Sequence, residues 1–515
     1  MTIQTDVQNV LDRLKTAQQR PLGDPRLASL EKSTFSENSS PTSGLTYYDL
    51  EVGAKFLYPV LTPLRNMIPR VSGKGGIQAN WRAITAINNT GIRIGVSAAN
   101  RGGVMGVATK DYTAAYKGIG IETSVDFEAQ YAGQGFDDIR AVAAKTGLEA
   151  LMLGEEAMIL GGCSSFPLGQ TPTPTLSTGT VGTLAPQTWS VICAALTLDG
   201  IINGSVASTN GVQGQITRTN ADGSIDTFGG GVAIPSASAT LTISGTASTG
   251  SINASVSLAP GALGYAWYWG VPGAEVLGAI TTINSIQITA PAAGTQLVTS
   301  LKVNSSSGST SAYVDNSTNA LAFDGLISQA WAPNSGSTLY KMATGTLGQG
   351  TPLTPDGAGG IVEIDTVLKS MWDNYHLSPD TMWVNSQEAL NISRKIIAGS
   401  QTAAQRFVFD SPQDLVGGGI MVRTYLNRFS MQGGSTIDIK VHPNMPAGTI
   451  LMTTSVLPYP LAGVGNVMQI RTRQDYYQIE WPLRSRRYEY GIYADEVLQN
   501  YFPPSLSLIT NIGNG

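Results

Sequence analysis

The chain has 515 residues, 31 basic against 36 acidic side chains, and a formal net charge of −5, with 42% apolar and only 13% charged residues. That length suggests about three domains, and the mild acidity argues against nucleic-acid binding as the main task, since a sequence-independent binder needs clustered Lys/Arg to displace counterions. Two cysteines, Cys163 and Cys193, are too few for a disulfide framework or a cysteine metal quartet and are expected to be reduced thiols.

Residues 3–18 place Ile3, Val7, Val10, Leu11 and Leu14 at helical spacing, and MTIQTDVQNVLDRL lacks the basic-then-apolar layout of a signal peptide. The chain then runs through PLGDP, SENSSPTSG and LYPVLTPLRNMIPRVSGKGG, where Pro59, Pro63 and Pro69 exclude a sheet interior. This reads as an extended arm, residues 1–76. From Ile77 the pattern becomes β-like. On the return side Ile119, Ile121, Val125 and Phe127 alternate, and Asn89-Thr90-Gly91 and Asn100-Arg101-Gly102-Gly103 carry turn chemistry. The expectation is a long β-hairpin over 77–128, too marginal alone in water to stand unsupported.

Phe136–Leu160 reads as a long helix without proline. Its inward face is expected at Ile139, Val142/Ala143, Gly147, Ala150, Leu153, Ala157 and Leu160, with Asp138, Lys145, Glu149 and Glu156 outward. Asp137 and Asp138 suit its first turn and Gly161-Gly162 its stop. At 1.5 Å per residue the rod spans roughly 35–40 Å. The segment 164–186 is a Pro/Thr/Ser linker, and short β-like runs follow: TWSVICAALTL, GQITRT, SATLTISG, INASVSLA, YAWYWGV, SIQITA and TSLKVNS. Strands split by Gly/Ser/Asn clusters predict an inserted β-sandwich of immunoglobulin size over 166–320. Trp189, Tyr265, Trp267, Tyr268 and Trp269 are read as its core plus one strand's outer face, with a carbohydrate-binding patch as the alternative. Beyond Phe323 the pattern is α/β: GIVEIDTVLKSMWDNY and SQEALNISRKIIAG as helices, the latter with a capping-box spacing Asn385–Glu388, then strands at IDIKV, TILMTT, VMQIRTR, YYQIEW and RRYEYGIYADEV.

Catalytic chemistry is not expected. His376 and His442 have no carboxylate or cysteine at ligand spacing, and His442-Pro443 reads as a turn at a strand end. Gly73-Lys74-Gly75-Gly76 lacks the context of a phosphate loop, and no GxSxG, HExxH or CxxC occurs. Glu155 and Glu156 are adjacent, so they diverge by about 100° and read as solvated or salt-bridged helix residues. No cofactor or metal site is expected. One cluster stands out: Arg471, Arg473, Arg484, Arg486 and Arg487. It either pairs internally with Asp475, Glu480 and Glu489 or meets carboxylates of neighbouring subunits, where the planar guanidinium fork is favoured.

The order arm, hairpin, long helix, α/β region and terminal strands resembles the major capsid protein of tailed bacteriophages, the Hong Kong 97-type fold. The likeness is carried by LYPVLTPLRNMIPRVSGKGGIQANWRAI, EEAMILGG, LSPDTMWVNSQEAL, HPNMPAGTILMTT and YYQIEWPLRSRRYEYGIY, and covers about two thirds of the chain. The resemblance implies an α+β fold: N-terminal arm 1–76, extended loop 77–128, peripheral domain with spine helix 129–165, axial domain 321–435, and 436–515 supplying the remaining axial strands and the return to the peripheral domain. The sandwich at 166–320 departs from the minimal pattern and is expected to project outward. The implied function is self-assembly as hexamers and pentamers into an icosahedral head around double-stranded DNA. The implied partners are portal, scaffolding and possibly decoration proteins; there is no membrane, and assembly takes place in the bacterial host cytoplasm. Some relatives crosslink Lys to Asn. Lys110 and Lys117 lie in the hairpin without an identifiable partner or activating acid, so only contact with a neighbour is expected of them. Two other readings stay open, an encapsulin-like nanocompartment and a glycan-binding adhesin built on the sandwich.

Overall fold

A computed structural model describes residues 57–87, 95–132, 138–207, 211–245, 249–304, 311–398, 422–431 and 433–514. The expected helix at 3–18 and the turn at 89–91 lie outside them. Residues 58–129 and 139–515 form one unit, and the other, 1–57 with 130–138, falls mostly outside the described residues.

A short helix, Pro63–Met67, precedes β1 (Arg70–Ser72), and β2 (Gln78–Ile87) follows. β2 pairs antiparallel with β3 (Val107–Ala115), from Gln78 opposite Ala115 to Ile87 opposite Val107, and the two make an isolated two-stranded ribbon. The return strand β4 (Lys117–Asp126) corrects the hairpin reading of 77–128. It leaves the ribbon at Tyr116 and joins a separate four-stranded sheet. Alternation at Ile119, Ile121 and Val125 signals a strand but carries no information about its partner.

After a short helix, Phe127–Ala132, the long helix Ile139–Gly161 packs across β4. Its buried stripe runs Gly147, Leu151, Glu155, Ile159, each four residues on, while Ala150 is exposed and Leu153 and Ala157 are half-buried. The helix is therefore rotated from the expected face. Glu155 and Glu156 are both buried, and counting Glu156 as outward and Glu155 as no part of the inward face turned the predicted face away from the sheet. Gly147 is the close-approach point: a Cβ there would lie 2.8 Å from Thr123 Cγ2 and 2.9 Å from Ile492 Cδ1.

The inserted region holds β5 (Thr175–Leu184), β6 (Thr188–Leu196), β7 (Gln215–Thr219), β8 (Ile225–Gly229), β9 (Ala239–Thr242), β10 (Gly250–Ser255), β11 (Gly264–Gly270), β12 (Val276–Thr281) and β13 (Ser285–Ile288). One sheet has the order β13-β10-β5 and the other β12-β11-β6-β9, while β7 and β8 make a small hairpin. Residues of both sheets share one core containing Leu184, Val191, Cys193, Ile252, Trp267 and Ile288. The opposite face of β6 and β11 is buried in a second cluster with Val212, Val298 and Leu301. Hence Trp189, Tyr265, Trp267, Tyr268 and Trp269 are all buried. Their polar tips are satisfied internally: the three indole N–H groups donate to Ala185 O, Thr281 Oγ1 and Ala290 O, and Tyr268 donates to Gln296 Oε1. Neither an outer aromatic face nor a carbohydrate-binding patch exists among them.

β14 (Lys302–Asn304) and β15 (Ser311–Tyr313) pair with each other. The α/β region follows, with β16 (Thr338–Lys341), β17 (Thr381–Val384), β18 (Thr424–Asn427), β19 (Ser435–Val441), β20 (Ile450–Thr453) and, at the end of the chain, β23 (Leu506–Thr510). They form one mixed sheet, β16-β23-β20-β17-β19-β18, with helices Val362–Tyr375 and Ser386–Ala398. Asn385 caps the second helix by accepting from Gln387 N at 3.0 Å, but Glu388 does not complete a capping box. It is buried and accepts from Gly448 N at 3.0 Å. Between β20 and β23 run β21 (Met468–Glu480) and β22 (Arg487–Asn500), which with β1 and β4 build the sheet β1-β21-β22-β4 under the long helix. The architecture is α+β.

Candidate assembly site

The ribbon is the least covered part of the described chain. Ile84, Ile87, Val96, Val104, Met105 and Val107 are all exposed, Val104 at 89%. Its internal holding is modest: the Arg82–Asp111 pair is solvent-exposed, and Trp81 stacks on Tyr112 with centroids 5.7 Å apart. Exposed apolar side chains in such number are the kind of surface that marks a contact face. At its root Lys110 lies 5.0 Å from the Tyr112 ring centroid, and Lys117 donates to Ala320 O at 2.6 Å. Both lysines line an open groove of about 550 Å³ with Trp81, Tyr112, Asp324 and Asn500.

The arginine cluster does not converge on one spot. Arg473 pairs with Asp495 at 2.7 Å, Arg486 with Glu128 at 2.8 Å and Arg487 with Asp126 at 2.6 Å. Arg471 reaches Gln499 Oε1 at 3.5 Å. These partners replace the expected Asp475, Glu480 and Glu489 because β22 pairs with β4 as well as β21, bringing distant acids alongside. Arg484, on the loop joining β21 to β22, is exposed, and among the described residues no ion pair holds it. It lines a groove of about 800 Å³ with Glu122, Asp222, Trp481 and Tyr493, and its charge helps to hold the Asp222 carboxyl low, after the hydrogen bonds from Ser224.

What fixes the ribbon's root is a buried polar joint that the sequence reading missed. The short helix Pro63–Met67 has no side-chain cap from Thr62. Glu156, 0% exposed, supplies one from the long helix, accepting from Leu64 N and Arg65 N at 2.8 Å each. These are orphan first-turn amides at the positive end of the helix, where a carboxylate is favoured. His442 Nδ1 accepts from Asn444 N at 3.1 Å, so the ring proton sits on Nε2 and is donated to Glu156 Oε1 at 2.6 Å. His442 does open a turn at the end of β19, as expected, with Met445 N donating to its carbonyl at 3.3 Å, but its ring is buried and partnered. Glu155, 1% exposed, turns the other way. It accepts from Arg65 Nε at 3.1 Å, from Arg70 Nη1 and from Tyr476. Both guanidiniums lie on the Tyr476 ring, at 5.1 and 4.5 Å. Glu155 is salt-bridged, Glu156 is hydrogen-bonded, and neither is solvated. A carboxylate pair inside the apolar run EEAMIL was the available sign that both were buried with partners.

Among the described residues no group of three or more His, Cys, Asp and Glu could hold a metal ion, and no helix is long and apolar enough to cross a membrane. No family model matches the chain, and no curated protein does. Among solved structures it is similar to the Cyanophage A-1(L) capsid at 10% identity and TM-score 0.39, covering 92% of this chain and 98% of that one. Mycobacterium phage Bobi gives 10% identity and TM-score 0.39 over 95% and 99%. The holo-SrpI encapsulin complex from Synechococcus elongatus gives 9% and 0.36 over 96% and 97%.

Proposed function

We propose that this chain is the repeating subunit of a self-assembling protein shell, of the kind the Hong Kong 97-type resemblance implies: a phage head built from hexamers and pentamers around double-stranded DNA. The exposed apolar ribbon is the observation that supports this most directly. Two strands without a third, with Ile84 and Ile87 exposed on β2 and Val104 and Met105 exposed just before β3, gain stability by lying on another copy. Repetition of such contacts around a closed lattice turns weak pairwise affinity into a durable assembly. In this reading Lys110, Lys117 and Arg484 contact neighbouring subunits, the inserted sandwich faces outward, and scaffolding, portal and decoration proteins are the partners. The particle assembles in the host cytoplasm and becomes the virion shell.

Electron microscopy of the purified chain, alone and with a candidate scaffolding protein, tests it. Closed or tubular shells are expected, and Ile84→Asp with Val104→Asp should abolish them while leaving a folded subunit. A monodisperse monomer under both conditions overturns the reading. Shells that package protein in the producing cell rather than DNA would move it to a nanocompartment.

A further inference from the structure

The joint at the ribbon's root holds more acid than base. Arg65 and Arg70 face the buried Glu155 from the long helix and the buried Glu496 from β22, and Arg70 also pairs with the solvent-exposed Asp475 from β21. With every carboxyl ionised the site has three negative charges to two positive ones. One proton restores balance. The geometry shows where it is needed. Glu155 has its oxygens taken by Arg65, Arg70 and Tyr476, whereas Glu496 accepts from Arg70 Nη2 at 2.6 Å through Oε2 alone. Its Oε1 is buried without a partner. An ionised oxygen left there without a donor costs more than a neutral acid, whose O–H has the Glu155 carboxylate beside it as acceptor.

We propose that Glu496 is held as a neutral acid beside Glu155, and that its proton is the latch fastening the Arg65–Arg70 segment to the long helix. Burial, then the Glu155 charge, push the Glu496 carboxyl up to about 8 against the pull of Arg70. Among the described residues no spare cation is at hand to replace the proton. Lys117, opposite Glu496 on β4, is turned to Ala320 O, and Arg473 is occupied by Asp495. Tyr476 already donates to Glu155, and Glu156 with His442 lies on the other side of the helix. The closed joint therefore keeps its full advantage below the ordinary carboxyl range and loses it progressively as pH rises to about 8, above which nothing further is lost. Opening frees the segment that leads into β2, whether or not the ribbon is docked on a neighbour.

Hydrogen exchange of the full-length chain from pH 6.5 to 9, normalised to unstructured-chain rates at each pH, reads this directly. Amides of 64–72 and 155–161 should lose at least about tenfold protection across the titration, while peptides of the inserted sandwich do not change. Glu496→Gln should remove the step. The same step in that variant, or none in the natural chain, overturns the proposal. If Glu496→Gln costs the fold, seen as lost sandwich protection, infrared difference spectra of the natural chain decide. Loss of a protonated-carboxyl band between pH 7 and 9, coincident with the exchange step, supports the latch; absence of the band refutes it. Asp199, the other strongly raised carboxyl, titrates lower, at about 6, and does not confuse the assignment.

Discussion

Glu156 satisfies two backbone amides and an imidazole at once, so truncating it leaves buried donors behind rather than merely deleting a charge. Glu156→Ala is expected to cost about 3 kcal/mol or more, since each buried donor left without its acceptor costs about 1–3 kcal/mol. Glu128→Ala, which breaks the exposed pair with Arg486, should stay within about 0.5 kcal/mol; thermal unfolding of both variants checks the contrast. Asp199 presents the opposite case. Burial raises its carboxyl to about 6, so its burden on the fold is absent below about pH 4 and grows as pH rises to about 6. Asp199→Asn should raise the unfolding temperature at pH 7.5 and leave it unchanged at pH 3.5; equal shifts at both would show that the charge is irrelevant. Such residues were legible only where their partners are local. Asn385 caps a helix two residues on, whereas His442 meets a carboxylate 286 positions away, which no spacing rule reaches.

The long helix and the ribbon show the same division between elements. Proline-free three-to-four spacing ending in Gly161-Gly162 made the helix readable to within a few residues at each end. Its rotation was not readable, because the residues that set it are glutamates whose burial depends on Arg65, Arg70 and His442. Likewise the strand character of 117–126 was plain while its sheet was not. Gly147 is where helix and sheet meet most closely, and its side-chain hydrogen occupies space that a larger group cannot share with Thr123 and Ile492. Gly147→Val should lower stability by about 1–3 kcal/mol through overpacking, although valine is a better helix former than glycine. A rise in unfolding temperature would mean that propensity outweighs the contact and that the helix can shift without loss.

At the scale of the whole molecule two consequences separate assembly from folding. Arg484 is exposed and outside any ion pair among the described residues, so Arg484→Glu should leave the subunit's unfolding temperature within about 2 °C while suppressing closed shells in electron micrographs. Normal particles would remove Arg484 from the contact set. The sandwich differs in being built into the rest of the chain. Its entry and exit lie side by side, with Asn319 N donating to Cys163 O at 2.7 Å, as for a module that could be lifted out. Yet Leu198 and Leu263 belong to the same core as Leu160, Phe323 and Leu498, and Asn284 and Asn511 exchange hydrogen bonds at 2.8 and 3.1 Å. Composition could not reveal that two leucines of the sandwich region fill the neighbouring core. Excising 166–318 therefore withdraws both leucines, each comparable to a large-to-small core deletion of about 2–5 kcal/mol, and should lower the unfolding temperature of the remainder by roughly 10 °C or more. The isolated 166–318 fragment retains the aromatic core around Trp267 and should fold alone, with a near-ultraviolet tryptophan signal lost in one cooperative transition. An unchanged unfolding temperature in the excised chain would mean that the sandwich is only tethered, and that those leucines are dispensable to the core they enter.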